Sequence, residues 1–147
     1  MPQIKNLKKV AERIKKAVKN KEKIIIYGDS DVDGISSVVI LKETIENLGG
    51  EITAVYFCNR EKEGYGLTKS GLDFLSKFSP ALFFTLDLGI ANFEEAKIAK
   101  KLGFELIIID HHVVLGGLPE AEIIVDPKQK GDKYPFKEFA AAGLVFK

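Results

Sequence analysis

The stretch IIIYGDSDVDG, residues 24–34, joins a fully apolar run to a cluster of acids. The stretches LFFTLDLG, residues 82–89, and LIIIDHH, residues 106–112, repeat this arrangement. Such apolar runs are typical of buried parallel strands, and ligands of open α/β sheets bind at the carboxyl ends of those strands. The sequence therefore predicts an α/β fold in which six side chains share one site. They are Asp31, Asp33, Asp87, Asp110, His111 and His112.

Length and composition are those of one compact domain. The chain has 147 residues, of which 46% are hydrophobic, enough for a core of its own. No apolar run approaches the roughly 20 residues of a membrane span, and the N-terminus lacks the apolar segment of a secretory signal. A soluble, cytoplasmic protein is therefore expected. Cys58 is the only cysteine, so it is predicted to be a buried free thiol.

Positive charge is concentrated at the start of the chain. Residues 1–23 contain nine Lys and Arg, with only Glu12 and Glu22 as acids, although the net charge of the whole chain is +1. Apolar residues recur at helical spacing between these lysines, which predicts an amphipathic helix over residues 3–20. Its basic face is either a solvated helix surface or a surface that attracts nucleic-acid phosphates.

Strand and helix patterns alternate along the rest of the chain. Runs rich in β-branched and aromatic residues predict strands at 23–27, 52–57, 81–86, 104–109 and 122–126. Helical patterns lie between them, at 35–48, 68–78 and 92–102. This rhythm favours a parallel sheet with right-handed crossovers. The last residues, FKEFAAAGLVFK, are typical of a helix that is cut off early.

The acids after the first strand require a positively charged partner. Asp29, Asp31 and Asp33 are spaced two apart, so their carboxylates repel one another and raise one another's pKa values unless a cation or hydrogen-bond donors compensate. A divalent metal ion is the simplest compensator. The sequence thus indicates a metal site, of a kind that handles phosphate.

Two other kinds of site share parts of this pattern. A calcium-binding EF-hand loop also begins Asp-x-Asp-x-Asp-Gly, but it needs Glu at its twelfth position, which is Ile40 here. A haloacid-dehalogenase-like phosphatase has a strand that ends in Asp-x-Asp, which Asp29 and Asp31 fit loosely. The EF-hand also needs flanking helices, whereas Ile24 to Tyr27 is predicted to be a strand. The phosphatase scheme does not include Asp-His-His after a later strand.

The triplet at residues 110–112 holds both histidines of the chain. Imidazole together with carboxylate suits Mn²⁺, Zn²⁺ or Fe²⁺ better than Ca²⁺ or Mg²⁺ alone. Adjacent side chains point to opposite sides of an extended segment, so only one histidine is expected to face a given metal ion. The other could contact a substrate phosphate or transfer a proton.

In this order after successive strands, GDSDVDG, TLDLGI and IDHH resemble the first three motifs of the DHH phosphoesterase family. The segments CNREKEGYGL, residues 58–67, and IVDPKQ with YPFKEFAAAGLVFK, after residue 123, narrow the resemblance to the RecJ-like branch, which contains single-strand-specific 5′-to-3′ DNA exonucleases. The resemblance covers about residues 20–147. It implies a five-stranded, mostly parallel sheet of order 2-1-3-4-5 with helices on both faces, a three-layer domain.

The resemblance also implies roles for particular residues. Asp31, Asp33, Asp87 and His111 would hold a pair of Mn²⁺ or Mg²⁺ ions, with Asp29 as a further candidate ligand. His112 would touch the scissile phosphate, and Asp110 would steady the cluster. Substrate-binding positions would be Arg60, Tyr65, Gly66 and Ser36. For Arg60, a surface salt bridge with Glu61 or Glu63 is the alternative.

Two features depart from the family pattern. Some members have His four residues before the first Asp of the Asp-x-Asp pair, where this chain has Tyr27. The sequence ends before the family's fourth motif and its nucleic-acid-gripping DHHA1 domain. The expected organisation is therefore a basic helix, residues 1–22, joined to a C-terminally incomplete DHH domain, residues 23–147, which is folded but could be inactive by itself.

The leading functional hypothesis is metal-dependent hydrolysis of single-stranded DNA. A short RNA or a cyclic dinucleotide is the alternative substrate within the same family. A non-catalytic nucleic-acid-binding protein that keeps the fold is an alternative of another class, and a small-molecule phosphatase is a third. A measurement of metal binding distinguishes these enzymatic hypotheses from the non-catalytic one, because only the enzymes are expected to bind metal tightly.

Overall fold

The structure is a computed structural model that describes residues 3–147. Residues 1 and 2 of the predicted N-terminal segment lie outside the described residues. The helices are α1 (Leu7–Lys19), α2 (Val32–Asn47), α3 (Lys69–Leu75), α4 (Phe93–Lys101) and α5 (Ala141–Phe146), and a 3₁₀ turn, Ser76–Phe78, follows α3. The strands are β1 (Ile24–Gly28), β2 (Ala54–Phe57), β3 (Ala81–Leu86), β4 (Phe104–Ile109) and β5 (Ile123–Val125).

The five strands form one sheet of order β2-β1-β3-β4-β5. Every neighbouring pair is parallel, so the sheet is all-parallel rather than mostly parallel. The register aligns Gly28 of β1 with Leu86 of β3, and Leu86 with Ile109 of β4. The residues that follow these three strands therefore emerge side by side at one edge of the sheet.

Helices cover both faces of the sheet, as predicted. On one face, α1, α2 and α5 pack over side chains such as Ile26, Phe84 and Ile107. On the other face, α3 and α4 pack over Phe83 and Ile108. Every residue of β1 and β3 is buried, which is why these strands read as unbroken apolar runs.

Three helices begin at least three residues away from their predicted starts. Helix α2 begins at Val32 rather than at 35, because the Asp31 carboxylate accepts a hydrogen bond from Gly34 N at 2.9 Å and caps the helix. Helix α5 begins only at Ala141, because the Asp33 carboxylate accepts a hydrogen bond from the first amide of the helix. Residues 136–140 are therefore not helical. Helix α1 begins at Leu7 rather than at residue 3.

The basic helix α1 is anchored to the sheet by an arginine. Arg13 Nε donates to Glu105 Oε1 at 2.6 Å, and Arg13 Nη2 also contacts Glu22. The apolar face of the helix enters the core through Val10, Ile14 and Ala17. The helix therefore packs as part of the domain. Along residues 3–147, no helix is both long enough and apolar enough to cross a membrane.

Candidate metal centre

The first acids of the site follow β1 directly. Asp29 is buried at the end of the strand, and its backbone N donates to Leu86 O of β3 at 3.2 Å. Asp31 caps α2, so its carboxylate lies at the positive end of that helix. Burial opposes the ionisation of Asp31, but the Gly34 amide and the Arg60 guanidinium outweigh it and lower the pKa of Asp31. This acid is therefore ionised at neutral pH.

Asp33 connects the first motif to the far end of the chain. Its two carboxylate oxygens accept hydrogen bonds from Ala141 N and Ala142 N, both at 2.8 Å. Its Oδ2 also lies 3.5 Å from His111 Nε2. These two amide hydrogen bonds stabilise the negative charge of Asp33 and fix its carboxylate beside the other acids.

Asp87 is the acid at the centre of the site. It follows β3, has a backbone φ of 64° and is only 2% exposed. A positive φ is uncommon outside glycine and tends to occur at functional sites. Burial raises the pKa of Asp87 to about 8, and the charges of Asp33 and Asp31 add to the rise. Asp87 is therefore the member of the cluster that most needs a compensating cation.

The Asp-His-His triplet after β4 forms a tight turn around Asp110. This buried carboxylate accepts hydrogen bonds from Ile90 N at 3.0 Å, from His111 N at 2.8 Å and from His112 Nδ1 at 2.6 Å. The expectation that the two histidines point in opposite directions was wrong. Their ring centroids are 4.7 Å apart, because the segment bends around Asp110 instead of continuing as a strand.

Both histidines face the central acid. His111 Nε2 lies 3.1 Å from Asp87 Oδ1, but the two atoms are not aligned for a hydrogen bond. Within residues 3–147, Asp87 Oδ1 has no hydrogen-bond partner although it is buried. The hydrogen bond that His112 Nδ1 donates to Asp110, together with the charge of that carboxylate, raises the pKa of His112 to about 9. His112 is therefore predominantly protonated at neutral pH.

The donor atoms fit divalent metal ions. One group contains Asp29, Asp31 and Asp87, and a second contains Asp87, His111 and His112; within each group the possible ligand atoms lie within 4.8 Å of one another. Asp87 belongs to both groups, and its buried oxygen lacks a partner. A carboxylate shared by two adjacent groups is suited to bridging two ions, and the mixture of oxygen and imidazole suits Mn²⁺.

Comparison with known proteins agrees with this arrangement. The family described as "DHH family, N-terminal domain" matches residues 23–147. The chain belongs to the DHH family. The five-stranded parallel sheet and the Asp-His-His triplet are thus the DHH fold and the DHH motif in this chain.

Relatives of the chain include single-strand-specific DNA exonucleases. The chain is 43% identical over 145 residues to the single-stranded-DNA-specific exonuclease RecJ of Bacillus subtilis, covering 99% of this chain and 18% of that protein. It is 31% identical to RecJ of Escherichia coli, covering 98% and 25%. A crystal structure of exonuclease RecJ bound to manganese matches with a TM-score of 0.86 and 28% identity, covering 98% of this chain and 36% of that one. This DHH chain therefore spans about a fifth to a third of these proteins.

The predicted substrate-binding residues lie on two elements, the loop after β2 and helix α2. Arg60 lies against the acids, with its Nη2 2.7 Å from Asp29 Oδ2 and 2.8 Å from Asp31 Oδ2. It is thus paired with neither Glu61 nor Glu63. The Tyr65 ring is 76% exposed, and its centroid is 5.0 Å from the Arg60 guanidinium carbon.

Gly66 and Ser36 are placed differently. Gly66 has φ of 83°, and a Cβ there would lie 2.7 Å from Asn92 Oδ1, so only glycine fits this turn. Ser36 is half-buried on α2, one turn after the acids. The structure therefore gathers Arg60, Tyr65 and Gly66 into one loop after β2. The substrate contacts of all four residues stay predictions.

Tyr27, the departure from the family pattern, holds this loop. Its side chain is fully buried between the sheet and α3. The hydroxyl donates to Gly66 O at 3.3 Å, lies 3.1 Å from Thr68 Oγ1 and accepts from Thr68 N at 3.3 Å. Asn92 holds the next residue of the same loop through Leu67 N, at 3.1 Å. Tyr27 therefore orients the loop that carries Arg60 and Tyr65.

Removing the Tyr27 hydroxyl is expected to loosen the loop without disturbing the core. For Tyr27→Phe we expect the free energy of unfolding to fall by about 1 kcal/mol, the usual net value of a hydrogen bond. Hydrogen exchange should become faster at the Thr68 amide. Tyr65→Phe is the control, because that side chain is exposed. Unchanged protection at Thr68 in Tyr27→Phe would contradict this role.

Sequence reasoning missed three features of the site. The amides of Ala141 and Ala142 bind Asp33 from more than 100 positions away, and no local pattern signals that contact. Cys58 is buried as predicted, but its Sγ also lies 3.5 Å from Asp29 Oδ1. Asp126 is fully buried after β5, and burial raises its pKa to about 6. An acid at the end of an apolar strand was the signal for Asp126, as it was for the other acids.

Proposed function

We propose that this chain is the catalytic core of a metal-dependent phosphodiesterase that degrades single-stranded DNA from the 5′ end. The observation that carries the proposal is the pair of ligand groups that share Asp87 at the carboxyl edge of the sheet. The DNA substrate is inferred from the RecJ exonucleases of Bacillus subtilis and Escherichia coli, which the chain resembles along nearly its whole length.

The acids and His111 are proposed to hold two Mn²⁺ or Mg²⁺ ions. Asp29 and Asp31 would serve one ion, His111 the other, and Asp87 both. Asp33, whose Oδ2 lies 3.5 Å from His111 Nε2, would be a further ligand. Bound divalent ions lower the pKa of a coordinated water and polarise a phosphodiester. Proton donation and the positioning of the substrate would depend on the side chains around the ions.

His112 is proposed to contact the scissile phosphate. Its Nδ1 is held by Asp110 at 2.6 Å, which leaves Nε2 directed away from that carboxylate. Since its pKa is about 9, Nε2 carries a proton at neutral pH and can donate to a phosphate oxygen as charge develops there. Asp110 acts through His112 and is a positioning residue.

The substrate strand is proposed to enter past the loop after β2. Arg60 would contact a phosphate, Tyr65 would stack against a base, and Gly66 and Ser36 would line the groove. An exposed aromatic ring beside a guanidinium is a common platform for single-stranded nucleic acid. Residues 1–22 are proposed to form part of the same domain as residues 23–147, because α1 packs in the core beneath the sheet.

The test is cleavage of an oligothymidylate that carries a fluorophore at its 3′ end. With Mn²⁺ the labelled strand should shorten progressively and release 5′-mononucleotides, whereas chelation with EDTA should stop the reaction. Asp31→Ala and His112→Ala should each abolish it. Activity that survives either substitution would refute the assignment. Oligoribonucleotides and a cyclic dinucleotide, assayed in parallel, identify the substrate class, and faster cleavage of either would overturn the choice of DNA.

A further inference from the structure

Arg60 occupies carboxylates that a metal ion would need. Its guanidinium makes a two-pronged contact with Asp29, Nε to Oδ1 at 2.9 Å and Nη2 to Oδ2 at 2.7 Å. The same Nη2 reaches Asp31 Oδ2 at 2.8 Å. Asp29 and Asp31 are two of the three members of the acidic ligand group. The guanidinium therefore compensates part of the negative charge of the group.

A divalent ion at these oxygens would compete with the guanidinium. Each Asp29 oxygen already accepts a charged N–H, and a metal ion at coordination distance would lie within a few ångströms of the positive guanidinium. Like charges at that separation repel strongly, particularly in a partly buried site. Metal binding at the acidic group therefore favours departure of Arg60 from it.

The Arg60 side chain is free enough to move away from the acids. Its side chain is 31% exposed, and it lies on a turn at residues 59–63 rather than within a strand or helix. The guanidinium already lies over the exposed Tyr65 ring, 5.0 Å from its centroid, and can keep this contact when it turns away from the acids. A swing of the long side chain is enough to release the carboxylates while the backbone stays in place.

We propose that the Arg60 guanidinium takes the place of one metal ion at Asp29 and Asp31. Metal binding then displaces this side chain toward the substrate groove. The inference rests on the metal centre of the proposed function and deepens it. The second ligand group, with His111 and His112, makes no contact with Arg60 among the described residues, so only the ion at the acidic group competes with the arginine. Displacement also makes the guanidinium available to a phosphate only after metal has bound.

Calorimetric titration of Mn²⁺ into the metal-free chain tests the inference. In Arg60→Gln the acidic group is free, so one of the two binding events should tighten about tenfold or more relative to the unsubstituted chain, the size of a typical coupling between sites. The other event should change little. Lys62→Gln, which removes an equal charge from an exposed position of the same turn, should leave both affinities within about threefold because surface charges are screened.

Stability provides a second readout that is independent of catalysis. Without metal, Arg60→Gln should unfold at a lower temperature than the unsubstituted chain, because the acids lose their cation. On addition of Mn²⁺, the unfolding temperature of Arg60→Gln should rise by more than that of the unsubstituted chain. Arg60→Lys keeps the charge but not the two-pronged geometry, so it should give intermediate values.

The possible results separate this inference from the proposed function. Mn²⁺ binding to the unsubstituted chain, with equal or weaker affinity in Arg60→Gln, overturns the proposed role of Arg60 and leaves the metal centre intact. Absence of Mn²⁺ binding in both proteins overturns the metal centre and the role of Arg60 together. Equal tightening in Lys62→Gln shows that overall charge is responsible, and this also overturns the specific role of Arg60.

Discussion

Asp87→Asn is expected to stabilise the metal-free chain while abolishing both manganese binding and hydrolysis. The carboxylate is buried, one of its oxygens lacks a hydrogen-bond partner, and other acids surround it. An uncompensated buried charge is costly, and asparagine has nearly the same shape without the charge. At alkaline pH the free energy of unfolding should therefore rise by about 2–4 kcal/mol.

The sign of this effect depends on pH. The folded chain holds the Asp87 proton up to a pKa of about 8, whereas the unfolded chain releases it near its ordinary value of about 4. The folded state thus binds more protons between these values, so stability falls as the pH rises from about 4 to about 8. Asp87→Asn has no such titrating group, so it does not lose this stability. The difference in the free energy of unfolding between Asp87→Asn and the unsubstituted chain should therefore grow from about pH 4 to about pH 8.

Urea denaturation in EDTA at about pH 5 and about pH 9 measures the difference, since the linear dependence on urea gives the free energy of unfolding. Asp73→Asn is the matched control, because Asp73 is exposed on α3 and its change should have little effect. With Mn²⁺ the order should reverse, since only the unsubstituted chain gains stability from metal. Hydrolysis should fall by at least about 10³-fold. Asp87→Asn that is less stable than the unsubstituted chain at high pH would contradict the prediction.

The location of the site could be predicted because it depends on simple features of the sequence. Buried parallel strands require uninterrupted apolar residues, so IIIY, LFFTL and LIII mark β1, β3 and β4 directly. The acids and histidines that follow them must emerge at the same edge of a parallel sheet. The order β2-β1-β3-β4-β5, confirmed in the structure, came from the family resemblance rather than from these patterns.

Contacts within the site could not be predicted because they depend on tertiary packing. Asp33 binds amides at the start of α5, and that contact decides both where the helix begins and where the carboxylate lies. Arg60 has Glu61 and Glu63 as sequence neighbours, yet it pairs with Asp29 and Asp31, because the loop after β2 folds over the end of β1. The position of His112 depends on a bend around Asp110, which extended geometry did not anticipate.

Asp110→Asn is expected to damage both the fold and the acid–base chemistry of the site. Asp110 is 1% exposed and accepts bonds from Ile90 N, His111 N and His112 Nδ1. Asparagine places an amide donor against one of these donors, so a buried donor loses its partner. The free energy of unfolding should fall by about 2–4 kcal/mol.

The same substitution should return His112 to ordinary behaviour. The hydrogen bond that His112 donates to Asp110 is the main reason for its pKa of about 9, so in Asp110→Asn the pKa of His112 should fall toward the usual 6.5 or so. A raised pKa stabilises the folded chain below about 6.5, and this stabilisation is lost as the pH rises through about 9. The variant should therefore be more strongly destabilised at about pH 6 than at about pH 10.

Nuclear magnetic resonance titration of the histidine rings in the metal-free chain measures the pKa directly. Asp126→Asn is the matched control, because Asp126 is an equally buried acid at the end of the neighbouring strand and accepts its hydrogen bond from Lys128 N rather than from His112. Its own unpartnered oxygen makes that change neutral or stabilising. Hydrolysis should fall by about 10²–10⁴-fold in Asp110→Asn and far less in Asp126→Asn. An unaltered His112 pKa in Asp110→Asn would exclude Asp110 as its positioning residue, since the proton on Nε2 would then depend on other charges.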